Sequence, residues 1–398
     1  MTPRIGAEEE FHVVDVESGR LVPRARAILD RLDRPGFTTE LQRSALERNS
    51  EVHTTLDDLY TDLAGARRRL AAEASALGLA VVAAGTVPLA RISTRDITPA
   101  ARYLHMADEY RRVAHEQLLC SAQVHVDVPD RDTAVRAMCL VSPWLAPLLA
   151  LSASSPFWLG ADTGYASWRT LLWQRWPTAG PAGCHADARA YDAVVEELIG
   201  TGVISDPGMI YPDVRPSAHQ RTLELRICDA SPRVETVVLV AGLFRALVRE
   251  ACERLARHGG PLCDGRHDWL RSATWRAARS GLEGDLVDPQ TRRAAPAAEV
   301  LRRMRDRLRP ALEASGDWDT VHTLLEEALA AGSAAHRLRR VAAADGLLAG
   351  VDLLVDETRG GRAGQRPAPV TRRPVTPVGT TGSRRPYLRR SAAGDTVG

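Results

Sequence analysis

Ile5-Gly6-Ala7-Glu8-Glu9-Glu10-Phe11-His12 opens the chain with apolar and charged residues in near alternation. Strand side chains alternate faces with a period of two. Read as a strand over 5–16, this segment sends Glu8, Glu10 and His12 to one face and Ala7, Glu9, Phe11 and Val13 to the other. Two later segments repeat the pattern. In 120–128, Gln123, His125 and Asp127 oppose Val124, Val126 and Val128; in 221–228, Thr222, Glu224 and Arg226 oppose Leu223, Leu225 and Ile227. A sheet with one solvated face accounts for any one of these strands alone. Together they carry more. Glu8 and Glu10 sit one strand repeat apart, roughly 6.5–7 Å, and carboxylates so placed repel unless protonated or bridged by a cation. Glu47, in Ser44-Ala45-Leu46-Glu47-Arg48-Asn49, could complete a carboxylate-rich cage with His125 and Glu224. Hard oxygens with one imidazole suit Mg²⁺ or Mn²⁺ and not structural Zn²⁺. Divalent cations on an arginine-lined sheet are one way to hold a triphosphate without a P-loop.

Composition narrows the chemistry. The 398 residues are 44% hydrophobic and 26% charged, the profile of a globular protein with a sizeable core. All 52 basic residues are Arg, since no Lys occurs. That excludes a Walker A site, the strand Lys of a protein kinase and Lys Schiff-base chemistry. Nine Arg and one acid, Asp395, fall in 359–398, which leaves 43 Arg against 49 acids elsewhere. A mildly acidic body argues against nucleic acid as a partner. The six cysteines are scattered, with no C-x-x-C pair. No apolar leader or membrane-length run is evident, so the expectation is a cytoplasmic protein with reduced thiols and no membrane contact.

Periodicity predicts helices over 24–33, 55–77 and 190–200, with Thr54 or Thr55 capping the second and Gly78 ending it. Residues 79–84 read as a buried strand running into the turn Gly85-Thr86-Val87-Pro88. Residues 131–152 read as an apolar helical stretch interrupted by Pro143 and Pro147. A long irregular segment, 154–186, holds Trp158, Trp168, Trp173 and Trp176, which read as packing anchors. Further helices are expected over 233–258, 267–280, 296–314, 318–331 and 334–348. Strands grouped before helices predict an α+β fold. The expected organisation is one catalytic domain over 1–358, sheet-rich to 230 and helical beyond, followed by a disordered Arg/Pro/Gly-rich tail over 359–398.

These residues resemble a known family, the bacterial carboxylate–amine ligases, or type 2 glutamate–cysteine ligases, of the glutamine-synthetase-like superfamily. The resemblance rests on Ile5–Phe11, Gln123-Val124-His125-Val126, the stretch 150–156, the stretch 162–169, Val214-Arg215-Pro216-Ser217, Thr222-Leu223-Glu224-Leu225-Arg226, Gly281-Leu282-Glu283-Gly284 and Asp288-Pro289. It implies a curved antiparallel sheet with packed helices and an active site on its concave polar face. It also implies an ATP-dependent reaction. The γ-carboxylate of glutamate takes the γ-phosphoryl group of ATP, and the amine of cysteine attacks the acyl phosphate, giving γ-glutamylcysteine, ADP and phosphate. Carried onto this sequence, Glu8, Glu10 and Glu224 look like Mg²⁺ ligands, with Glu47 and His125 as further metal positions. Arg226 looks like the phosphate clamp and Arg215 a second catalytic cation. Arg169 and Gln123 look like substrate contacts. Cys184 and Cys228 read as structural.

The resemblance names ATP and amino acids as small-molecule partners and leaves room for a homo-oligomer. Members of this branch resemble weak glutamate–cysteine ligases, so the physiological acid and amine stay open. Many relatives carry Gly-Thr-His-Pro where this chain has Gly85-Thr86-Val87-Pro88, which removes a polar group expected near the pocket. Two other readings share the fold: a phosphotransferase, and a non-catalytic nucleotide-binding protein with the tail as its interaction element.

Overall fold

The opening segment forms the central strand of the main sheet. The computed structural model describes residues 2–32, 36–258 and 268–360. Its strands are β1 (Ile5–Asp15), β2 (Phe37–Thr39), β3 (Ala45–Asn49), β4 (Leu79–Val82), β5 (Ala122–Asp127), the β6–β7 hairpin (Phe157–Trp158, Ala161–Asp162), β8 (Val214–Pro216), β9 (Thr222–Leu225) and a β10–β11 hairpin (Asp285–Val287, Ala294–Pro296) that interrupts the region expected to be helical beyond 230. The main sheet runs β2-β3-β1-β5-β9-β8, with β4 pairing the far end of β1. All its pairings are antiparallel.

The alternation read from the sequence holds. Ala7, Phe11, Val13, Val124, Val126, Leu223 and Leu225 are buried. The helix Leu56–Ser75 packs against β1 and β4, and the helix Val234–Arg257 against β1 and β5. Leu59, Leu63, Leu70 and Phe244 are fully buried in this layer. Each such side chain contributes about 1.5–3 kcal/mol. Thr55 caps the first of these helices, its Oγ1 accepting from Asp58 N at 3.1 Å, and Gly78 follows its end in a left-handed conformation, φ +70°. The helices Arg131–Val141 and Leu145–Ser152 flank a turn of 3₁₀ helix at Ser142–Trp144. Arg131–Ser152 is apolar enough to cross a membrane, but 83% of its most apolar window is buried within the protein, so it is core.

Ion pairs also lie inside the fold, among them Glu9–Arg67 and Asp317–Arg245. Glu9, on the apolar face, meets Arg67, whose Nη2 also donates to Ser231 O at 2.8 Å. Arg245 Nε donates to Asp317 Oδ2 at 2.8 Å and its Nη1 to Thr54 O at 2.7 Å.

Several expectations need correction. The segment 154–186 is not structureless: it carries the β6–β7 hairpin and the helix Trp168–Trp173. The helix expected over 296–314 divides into Ala297–Arg307 and Arg309–Ser315, because Pro310 cannot sit in a helix interior. The helix expected over 334–348 breaks at Gly346, φ +88° and ψ 169°, and a second helix follows the kink as far as Thr358. Thiols are not all reduced, since Cys139 and Cys184 form a disulfide with Cα atoms 5.2 Å apart. Val87 is 0% exposed and packs with Phe157, Leu338 and Val351, so its departure from the relatives alters core and not pocket. The compact unit Met1–Pro367 contains every described residue. The expected tail lies outside the described residues from 361 onward.

Candidate active site

Strand register assembles the polar face. Glu10 stands opposite Glu47 across β1–β3, and Glu8 opposite Gln123 across β1–β5. His125 stands opposite Glu224, and Glu224 opposite Arg215. These strands floor a cavity of about 250 Å³ lined by Glu8, Glu10, Glu40, Glu47, Gln123, Arg169, Arg215 and Arg226, among others. Every expected site residue thus lines the cavity, save His125 and Glu224, which sit against it through Glu8, Arg215 and Arg226.

The expected single cage is two. Glu8, His125 and Glu224 bring ligand atoms within 4.8 Å of one another, and Glu10, Glu40 and Glu47 do the same. Glu40 was not anticipated. It follows a strand of three residues, too short to show alternation; in the fold Thr38 pairs with Glu47, which puts Glu40 on the same face two residues later.

The donor set suits divalent cations. His125 Nδ1 is tied to Thr222 Oγ1 at 3.0 Å. Its Nε2 lies 3.1 Å from Glu8 Oε1. A histidine oriented through one nitrogen, with the other turned to the carboxylates of Glu8 and Glu224, has the form of a metal ligand. In the second group, burial pushes Glu40 up to about 7, helped by Glu10. Burial also raises Glu47, followed by the charges of Glu40, Glu8 and Glu10, and burial raises Glu10. A cation would remove that repulsion. Ser121 fixes Glu10, donating from N at 2.7 Å and from Oγ at 2.8 Å.

Arginines face the acids. Arg215 grips Glu224 with Nε at 2.8 Å and Nη2 at 3.1 Å, and Arg226 bonds both Glu224 and Gln123. Burial disfavours charge on Glu224, but Arg226 and then Arg215 outweigh it and hold the carboxyl down at about 2. Arg226 itself is raised, since Glu224 outweighs its burial.

The remaining wall was largely unforeseen. Trp173 and Trp176 pack in the core and also line the cavity beside Tyr211. Their rings lie 5.0 Å and 5.7 Å from that of Tyr211. Arg102, Tyr103 and Met106 reach the cavity from the helix Ala101–Tyr110, which the sequence reading lacked. His12 shares the face of Glu8 and Glu10 but does not reach the cavity. It is 1% exposed, beside β4, and burial lowers it to about 4.

The sequence profile of the glutamate–cysteine ligase family 2 matches residues 4–356. The chain belongs to the glutamate–cysteine ligase family 2. A relative from Frankia casuarinae, provisionally named glutamate–cysteine ligase 2-2, is 54% identical over 356 residues, covering 89% of this chain and 41% of that protein. One from Mycolicibacterium smegmatis with the same provisional name is 50% identical over 360 residues, covering 90% of each. The chain thus spans less than half the length of the Frankia relative. In fold it is similar to the glutamate–cysteine ligase of Francisella tularensis, solved in complex with AMP, at TM-score 0.68 and 11% identity over 92% of this chain and 90% of that one. It is also similar to a bifunctional glutathione synthetase from Pasteurella multocida, at TM-score 0.67 and 15% identity over 90% of this chain and 52% of that one. Family membership and these likenesses establish the α+β, glutamine-synthetase-like architecture.

Proposed function

We propose that this protein is an ATP-dependent carboxylate–amine ligase of the glutamate–cysteine type. The observation that carries this reading is the pair of acidic groups on one sheet face with Arg226 and Arg215 beside them, in a chain of this family. Glu8, His125 and Glu224 would hold one divalent cation, Mg²⁺ or Mn²⁺, and Glu10, Glu40 and Glu47 another. Such ions supply charge neutralisation for the triphosphate.

The protein's own groups do the rest. Arg226, buried and fixed by Glu224 and Gln123, offers its planar fork to the transferring phosphoryl group. Arg215, held by Glu224 and by Ile210 O at 2.8 Å, adds a second positive charge. Arg169 and Gln123 bind and orient the acid. A γ-carboxylate oxygen attacks the γ-phosphorus, the bond to the β,γ-bridging oxygen breaks, and ADP leaves with that electron pair. The amine nitrogen then attacks the acyl carbon, phosphate departs with the C–O pair, and the ammonium proton goes to solvent. No protein nucleophile takes part. Cys228, whose thiol burial pushes up to about 12, is unsuited to one. Dependence on ATP supports a cytoplasmic location.

The test is incubation of purified protein with ATP, Mg²⁺, glutamate and a panel of amines including cysteine. ADP release that requires both acid and amine, with an amide product and its loss in Glu224→Gln, supports the reading. A stable phosphorylated acid without amide would indicate a phosphotransferase. No ADP above blank with any pair would overturn it.

A further inference from the structure

Three segments outside the metal face converge behind Arg169: the turn at Gly85, the stretch Ser152–Pro156, and Asp229 just past β9. Asp229 is 0% exposed. Its Oδ2 accepts from Ser154 N at 3.0 Å and Ser155 Oγ at 2.7 Å, and its Oδ1 from Ser167 Oγ at 2.7 Å. The same serines hold Arg169. Ser155 Oγ accepts from Arg169 N at 3.0 Å, and Ser167 caps the short helix that carries Arg169. The guanidinium completes the circuit. Its Nη1 donates to Ile227 O at 3.1 Å, its Nη2 to Arg226 O at 3.3 Å, and Nη1 lies 3.7 Å from Asp229 Oδ1. Gly85 leaves room for this knot: a Cβ there would stand 2.7 Å from Asp229 Cγ and Oδ2 and 2.9 Å from Ser155 Cβ.

We propose that Asp229 is the positioning residue for Arg169, locking through Ser155 and Ser167 the cation that faces the acid substrate. This rests on the ligase reading for what Arg169 binds, but not for how it is held. Asp229 touches no substrate. It balances the charge of a buried arginine and ties the Arg169 helix to the strand end bearing Arg226. A fork displaced by about 1 Å at such a site costs up to roughly a hundredfold in rate or affinity. Gly85→Ala crowds the same carboxylate, together with Ser155, while leaving Arg169 and Asp229 chemically unchanged, so it supplies a second perturbation of the knot.

The test compares Asp229→Asn, Gly85→Ala and Asp317→Asn. The last unpairs a buried arginine of the same kind, Arg245, and controls for lost stability. Two quantities are read on the folded full chain: phenylglyoxal labelling of Arg169, mapped by mass spectrometry, and KM for glutamate against kcat. Asp229→Asn and Gly85→Ala are expected to speed labelling severalfold and raise KM about tenfold or more, with kcat changed far less. Asp317→Asn should lower the thermal midpoint and move neither. Labelling unchanged in the first two variants, or raised equally in the control, overturns the proposal. If wild type turns over no acid, the ligase reading fails while labelling still decides the positioning role. Should Asp229→Asn not fold, Ser155→Ala carries the same readings.

Discussion

Glu10 and Glu47 stand directly opposite each other on adjacent antiparallel strands, with Glu40 completing the group. Like charges directly opposite in a sheet destabilise it, and here burial compounds the repulsion. The arrangement costs stability unless protons or cations occupy it, so the group links stability to pH and metal.

That linkage has a definite sign. Burial, then Glu10, raises Glu40 from 4.5 to about 7, and Glu10 and Glu47 are raised as well. Groups that bind protons more tightly when folded stabilise the fold below their unfolded value, and the benefit is lost as pH climbs through the folded one. Without divalent cations, the thermal midpoint should fall between pH 4.5 and 7 and recover on adding Mg²⁺. A metal-free midpoint that rises over this window counts against the account.

Replacing Glu47 by Gln removes one member of the repelling group. In EDTA the variant should melt above wild type, and in saturating Mg²⁺ the order should reverse as activity is lost. Calorimetry under both conditions checks the crossing. A variant less stable in both has lost an ordinary structural contact.

Arg226→Lys retains a charge but loses the planar guanidinium, whose Nη1 bonds both Glu224 and Gln123. The expected result is kcat lower by about 10²–10³, with a smaller change in KM for ATP. A kcat within threefold of wild type would remove Arg226 from the phosphoryl-transfer role.

The strands that build the site were legible because the residues of Ile5–Phe11, Ala122–Asp127 and Thr222–Leu225 alternate between an apolar and a polar face, Glu9 excepted. Alternation gives the face of a strand and not its reach along the molecule, so His12 shares the face of Glu8 and Glu10 yet lies buried away from the cavity. Glu40 was hidden because a three-residue strand has no period. The aromatic wall was hidden for another reason: Trp173 and Trp176 meet Tyr211 only through long-range folding, and no local spacing records that. Glu9 broke the alternation rule, and its partner Arg67 lies a helix away.

The buried pair Glu9–Arg67 predicts a purely structural variant. Glu9→Gln leaves a buried guanidinium without its counter-charge, which costs about 3–5 kcal/mol. Denaturant titration should show that loss, while KM for the substrates stays put. A shift in KM with stability intact would place Glu9 in the site.

Counting Mn²⁺ ions by electron paramagnetic resonance tests the central claim most directly, that two acidic groups on one sheet face each hold a divalent cation. The wild-type chain should bind two, Glu47→Gln should keep only the ion at Glu8, His125 and Glu224, and His125→Ala only the other. Wild type that binds no Mn²⁺, or variants that bind as many ions as wild type with equal affinity, would contradict it.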